Sequence, residues 1–359
     1  MPTRRRILAG MAAATALPRA SWADVGAPTH LTAAKDPDGT FALYGLRGDA
    51  RFAFRIPLPA RGHAAVAHPT RAEAVAFARR PGTFALVLDC ATGRVSHRLS
   101  APKGRHFYGH GAFSENGDLL FTTENEIETG QGRIGVWSRP AGYARVGEFA
   151  SGGIGPHEIL RVPGTNRLAI ANGGIRTHPD RGREKLNLAT MRPNLTIVGE
   201  DGEVRDVAEV PQAMHQNSLR HIAARADGLI ACAFQWQGDV FAAPSPLALY
   251  QPGGSLTFIG EDQHLGRAFA GYAGSVAFSA PGDSLAITSP RAGLVALIDV
   301  AQHSLRQYRQ ADICGVSADH DGILATDGMG GVHRVTAEPR RLAQHALAFD
   351  NHLIRIGAG

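Results

Sequence analysis

Three histidines recur at one place in a repeating pattern. They are His63 in Gly62-His63-Ala64-Ala65-Val66, His110 in Gly109-His110-Gly111-Ala112-Phe113 and His157 in Pro156-His157-Glu158-Ile159-Leu160. Imidazole nitrogen coordinates copper, zinc, iron and nickel, so histidines delivered to one point by separate repeats are a candidate transition-metal site. His215 and the acids Glu124, Glu126 and Glu158 lie in segments expected to return to the same region. The expected metal set is therefore His63, His110, His157, His215, Glu124 and Glu158, with Cu, Fe or Zn as the ion. The recurrence has a plain alternative, in which each histidine hydrogen-bonds a neighbouring repeat and lines a wet channel. No His-Glu-x-x-His spacing is present to decide between the two.

Two further segments carry binding chemistry. Ile175 to Lys185 is the most charged stretch after the leader, and Arg176, Arg181 and Arg183 could clamp an anion with guanidinium forks or stand in solvent as a surface loop. Phe234-Gln235-Trp236-Gln237-Gly238-Asp239 offers an aromatic face with amide donors for a small ligand or a protein, unless Trp236 is tucked against its own loop. Gly-x-Ser-x-Gly, the phosphate-cradling Gly-Lys-Ser/Thr and the dinucleotide fingerprint are all absent, which leaves hydrolase-elbow and nucleotide chemistry without support.

The elements that must position these residues are strands. Glycine is abundant, helical periodicity is scarce, and short apolar runs separated by turn dipeptides extend from His30 to Ile356. Gly39-Thr40-Phe41-Ala42-Leu43 recurs as Gly82-Thr83-Phe84-Ala85-Leu86, a spacing of about 43 residues, which is that of one four-stranded propeller blade. Blade openings follow at Gly62, Gly109, Pro156, Leu219, Gly274 and Cys314. Residues 30–56 read as a blade lacking its inner strand, and His352-Leu353-Ile354-Arg355-Ile356 as an inner strand lacking a blade. Pairing them gives an all-β, seven-bladed β-propeller whose N- and C-terminal strands close one blade. In such a ring the inner strands start at one mouth of the central channel. Loops between second and third strands return to that face, and those at Glu124–Gly132, Gly173–Pro193 and Gln235–Ala243 are expected to be long.

Residues 1–23 read as a twin-arginine signal peptide. Thr3-Arg4-Arg5-Arg6-Ile7-Leu8 leads into an apolar stretch ending at Leu17, too short for a membrane span, and Ser21-Trp22-Ala23 suggests cleavage before Asp24. The propeller domain is then 24–359, periplasmic, with no membrane span in the mature form. Removal of the leader takes four arginines and no acid, so the formal net charge falls from +5 to +1 and the basic balance gives no argument for nucleic acid. Cys90, Cys232 and Cys314 lie far apart without a Cys-x-x-Cys, and Cys232 sits in an apolar run expected to bury an inert thiol.

The leader together with His110-Gly111-Ala112-Phe113-Ser114-Glu115-Asn116-Gly117-Asp118, Gly155-Pro156-His157-Glu158-Ile159 and Asp350-Asn351-His352 resembles the exported bacterial family classed as domain of unknown function 1513. The resemblance covers nearly the whole mature chain. It implies a propeller like those of the YVTN and amine-dehydrogenase proteins and brings no established activity. Members are often encoded beside imelysin-like and di-haem proteins, which implies partners of that kind in periplasmic metal uptake and a link to iron or other metal handling. Two functions follow as expectations. One is a binding or accessory propeller with a His-lined metal or ligand site at one channel mouth; the other is a propeller enzyme, redox or lactonase-like, using the same face.

Overall fold

Short apolar runs bounded by turns pair antiparallel into seven four-stranded sheets, and the sheets close into a propeller. The computed structural model describes residues 20–78, 84–182 and 184–357. The arginine pair of the leader, Gly82 and Thr83 of the repeat, and Arg183 lie outside the described residues.

From inner to outer strand, blade 1 is Ala348–Arg355, His30–Lys35, Phe41–Leu46 and Phe52–Leu58. Blade 2 is Gly62–Ala67, Glu73–Ala78, Phe84–Asp89 and Arg94–Ser100; blade 3 is Arg105–Phe113, Leu119–Glu126, Gln131–Ser138 and Ala144–Ile154. Blade 4 is Pro156–Arg161, Arg167–Asn172, Asn194–Gly199 and Val204–Glu209; blade 5 is Asn217–Ala224, Ile230–Trp236, Leu247–Tyr250 and Leu256–Phe258. Blade 6 is Ser275–Phe278, Ser284–Ser289, Leu294–Asp299 and Leu305–Arg309; blade 7 is Ile313–Asp319, Gly322–Asp327, Gly331–Val335 and Arg340–Gln344.

The packing explains the sequence pattern. A middle strand is covered on both faces by adjacent blades, so it reads as a continuous apolar run such as Ala85-Leu86-Val87-Leu88, all buried. An outer strand faces solvent, and Arg94–Ser100 buries only Leu99. The core is accordingly divided into seven clusters, one between each pair of neighbouring blades. Inner strands contact their neighbours all the way round the axis.

The ring closes as the sequence indicates, with His30 opposite Arg355, Leu31 opposite Ile354 and Thr32 opposite Leu353. The closing strand starts at Ala348, four residues before the expected start at His352. The Glu124–Gly132 segment is mostly hairpin rather than loop, because Asn125 still pairs with Gly132. The other two expected loops are present, one joining Asn172 to Asn194 and one joining Trp236 to Leu247. Before blade 1, Trp22 is only 8% exposed and its Nε1 donates to the His68 carbonyl, so cleavage before Asp24 would remove a side chain from the cluster between blades 1 and 2. The cysteines are free and buried, and burial pushes the Cys90 thiol up to about 12. Among the described residues no helix is long and apolar enough to cross a membrane.

Candidate functional site

Five histidines meet on the axis: His63, His110, His157 and His221 from the inner strands of blades 2 to 5, and His352 from the closing strand of blade 1. Rings from blades that are not neighbours touch, with centroids 5.6 Å apart for His63 and His157, 4.8 Å for His110 and His352, and 5.1 Å for His221 and His352. In a ring of blades, only side chains that reach the central channel can make such contacts.

The backbone turns these side chains inward by slipping register. The inner strand of blade 2 shifts between Gly62 and Ala65, that of blade 3 between Phe107 and Gly111, and that of blade 4 between Pro156 and Glu158. Blade 5 shifts between Leu219 and His221, and the closing strand shifts across Phe349 to Leu353. Each histidine lies at or beside one of these bulges, which bend a strand and re-aim a side chain. Gly109 is what permits the bulge in blade 3. Its φ is +100°, and a Cβ there would stand 2.5 Å from Cδ2 of His63.

Two triads offer nitrogens within 4.8 Å of one another, His63/His110/His352 and His110/His157/His221, with His110 common to both. Nε2 of His110 is 3.1 Å from Nε2 of His63, so one ring donates and the other accepts. A tetrahedral ion with bonds of roughly 2.0–2.1 Å needs donors roughly 3.3 Å apart, so the set fits an ion after a small inward adjustment of the more distant rings. Nδ1 of His157 is buried with no hydrogen-bond partner. Burial, followed by the charges of the surrounding groups, holds His110 and His157 well below the usual imidazole range, so both rings are neutral at pH 7 with a lone pair to give.

Glu158 stands behind the rings. His221 Nδ1 donates to its Oε2 at 3.2 Å, the Ile222 amide donates to the same oxygen at 3.0 Å, and His110 Nδ1 is 3.8 Å from Oε1. A carboxylate at the Nδ1 side orients an imidazole so that Nε2 is presented, which gives Glu158 a positioning role in place of the ligand role expected for it. A cavity of about 150 Å³ runs from His110 and Glu158 along the inner strands to Arg161 and Arg355.

The remaining expected residues are elsewhere. Glu124 is fully buried inside blade 3, where Arg145 forks onto it at 2.6 and 3.0 Å and Thr122 donates to it. Its carboxylate lies over Gly135 of the third strand and is held by Arg145 of the outermost one. His215 caps its own turn through the Gln212 carbonyl. Arg176 donates to the Glu128 carbonyl at 2.8 Å and ties two loops together, while Arg181 is exposed beside Glu184. Gln235 donates to Ala273, Gln237 to Gln235 and Trp236 to Asp239, so this segment is largely satisfied within its own surroundings. His221 and His352 were legible only as strand residues. The signal for both is a histidine within a further inner strand, His221 one position later in its repeat than the other three and His352 in the closing strand.

A family model described as "Protein of unknown function (DUF1513)" matches residues 56–356. No curated protein matches the chain. Among solved structures, Kuenenia stuttgartiensis Hydrazine Synthase is similar in fold, at 14% identity and a TM-score of 0.58, over 89% of this chain and 96% of that one.

Proposed function

The chain belongs to the DUF1513 family of proteins of unknown function, and from that premise we propose that it is an exported binding propeller that holds a transition-metal ion on imidazoles in its central channel. The observation that carries the reading is the pair of triads sharing His110. Imidazole donors suit copper, zinc and iron, and a bound ion would supply Lewis-acid or redox chemistry at the axis.

The chain's own residues prepare the site. Loading the first triad needs His63 Nε2 and His110 Nε2 both unprotonated. Each ring then carries its own proton on Nδ1, which in His110 is the side that faces Glu158. His221 already carries its proton on Nδ1 against Glu158, which leaves Nε2 as its donor. The carboxylate thus fixes the tautomer of His221, stands 3.8 Å from Nδ1 of His110, and places one negative charge beside a cation. The periplasm is the proposed place of action, on the strength of the leader at residues 1–23. A role in metal handling, with imelysin-like or di-haem partners, is proposed on the family resemblance alone.

The test is calorimetric titration of the purified chain with Cu(II) and Zn(II), alongside His110→Ala and His215→Ala. We expect His110→Ala to weaken binding by more than about a hundredfold, above the 10–100-fold typical of an outer-shell partner, and His215→Ala to leave it unchanged. A His110→Ala protein that keeps its metal affinity but melts lower, by the about 1–3 kcal/mol of a lost buried hydrogen bond, would instead make the histidines structural.

A further inference from the structure

Past the histidines, the inner strands of blades 1 to 4 enclose the cavity of about 150 Å³. Ala65, Val66, Ala112, Ile159, Leu160 and Ile354 give it aliphatic walls, with His110 and Glu158 toward one end and Arg161 and Arg355 toward the other. His157 stands near the start of the strand Pro156–Arg161 and Arg161 ends it, so at about 3.3 Å per residue the arginine end lies about 13 Å along the strand from the imidazoles. Pockets for drug-sized ligands hold roughly 300–1,000 Å³, so this one suits a smaller molecule, apolar along its length and charged at one end.

Arg161 is the group that asks for a partner. It is 7% exposed, its Nη1 donates to the Thr165 carbonyl at 3.2 Å, and the same nitrogen stands 3.9 Å from Glu115, an acid that is itself mostly in solvent. Among the described residues Nε and Nη2 have no hydrogen-bond partner. These two nitrogens form one edge of the guanidinium, and such an edge takes a carboxylate in a two-pronged fork. An unused donor pair on a buried cation is costly, and an incoming carboxylate would offset that cost. Arg355 is exposed, is in no ion pair among the described residues, and adds a second positive charge at the same end. Glu158 at the other end repels an anion, so a bound carboxylate has one orientation.

We propose that this cavity is a binding site for a small aliphatic carboxylate. The carboxylate sits on the Nε–Nη2 edge of Arg161 with Arg355 beside it, and the aliphatic chain lies between the inner strands, pointing toward His110. The inference goes beyond the metal reading of the histidines and stands without it.

The experiment titrates metal-free protein calorimetrically with hexanoate, acetate and hexanol, comparing wild type with Arg161→Gln and Arg355→Gln. Hexanoate should bind the wild type at least tenfold more tightly than acetate, which lacks the chain, and than hexanol, which lacks the charge. Arg161→Gln should lose tenfold or more in hexanoate affinity. Arg355→Gln changes an exposed side chain and should lose severalfold with an unchanged melting curve. Absent hexanoate binding to the wild type, or equal affinity for hexanoate and either control, overturns the proposal. So does hexanoate affinity that is unchanged in a folded Arg161→Gln protein or, where that variant does not fold, in Arg355→Gln. A separate titration of the wild type with Cu(II) in non-coordinating buffer reports on the histidines, so failure of the metal reading shows as absent Cu(II) binding with hexanoate binding retained.

Discussion

Blades 1 to 5 and blade 6 share one architecture and differ at their inner strands. In blade 6, Ser275–Phe278 pairs with Ser284–Ser289 without any register shift and brings no ionisable side chain to the axis. In blades 1 to 5 the inner strand slips, and a histidine stands at or beside the slip. Blade 7 is intermediate, since its strand slips between Ile313 and Val316 but places Cys314 there, whose thiol donates to the Asn351 carbonyl in the neighbouring strand. A bulge leaves ladder groups unpaired, and blade 6 demonstrates that the ring can close around an unbulged strand. Closure therefore does not require a slip, and the slips of blades 1 to 5, though not that of blade 7, coincide with imidazoles.

The largest effect is expected where the comparison can be broken outright, at the strand that both closes the ring and delivers a histidine. A chain truncated before Asn351 loses His352 together with buried Leu353 and the pairing of residues 30–32, and it exposes edges on blade 1. We expect aggregation or a melting temperature lowered by many degrees. His352→Ala should keep the fold and change only the metal titration. Equal melting of truncated and full-length protein would mean that closure does not rest on this strand.

The same division marks how far the sequence could be read. The blades were legible because each middle strand is covered on both faces and must be continuously apolar, as in Phe84–Asp89 and Ile230–Trp236. His63, His110 and His157 were legible because each follows a glycine or proline at the same place in the repeat, although in blade 3 the strand itself begins earlier, at Arg105. His221 escaped because the bulge at Arg220 displaces it by one position, and His352 because it arrives from the far end of the chain. Glu124 misled because loop and hairpin have the same polar composition there. Only the pairing of Asn125 with Gly132 fixes the side to which the carboxylate turns.

A second, smaller effect sharpens the contrast between histidines on the axis and histidines buried elsewhere. His30 Nε2 bonds the Ala318 carbonyl, and His68 Nδ1 accepts from the Thr70 and Arg71 amides. Burial, opposed in His30 by that carbonyl and reinforced in His68 by the Arg139 charge, lowers each from 6.5 to about 4. With folded values below the unfolded value, the unfolded chain takes up protons between pH 6.5 and 4 that the folded chain refuses, so stability falls as pH falls through that window and is level above it. Each group is worth about 3 kcal/mol at the acid end. Melting followed from pH 7 to 4 should show this decline, and His30→Gln with His68→Gln should lessen it, leaving the part that belongs to His110 and His157. An unchanged acid limb in that double variant would assign the decline to other groups.

The smallest effect isolates the bulge itself. At Gly109 an alanine would carry the cost of a left-handed backbone, about 1–2 kcal/mol, and its Cβ would push on the His63 ring. Gly39 provides the matched control, because its φ is +86° in the hairpin of blade 1 and a Cβ there meets nothing within 4 Å. Both variants should lose stability through the backbone, read from chemical denaturation, and Gly109→Ala should lose more because its Cβ meets His63. Only Gly109→Ala should also lose metal affinity, since it displaces the ring that shares a proton with His110. If the two variants bind Cu(II) and Zn(II) alike, the slip in blade 3 does not aim His63, and the difference between the bulged blades and blade 6 would belong to strand pairing rather than to the site.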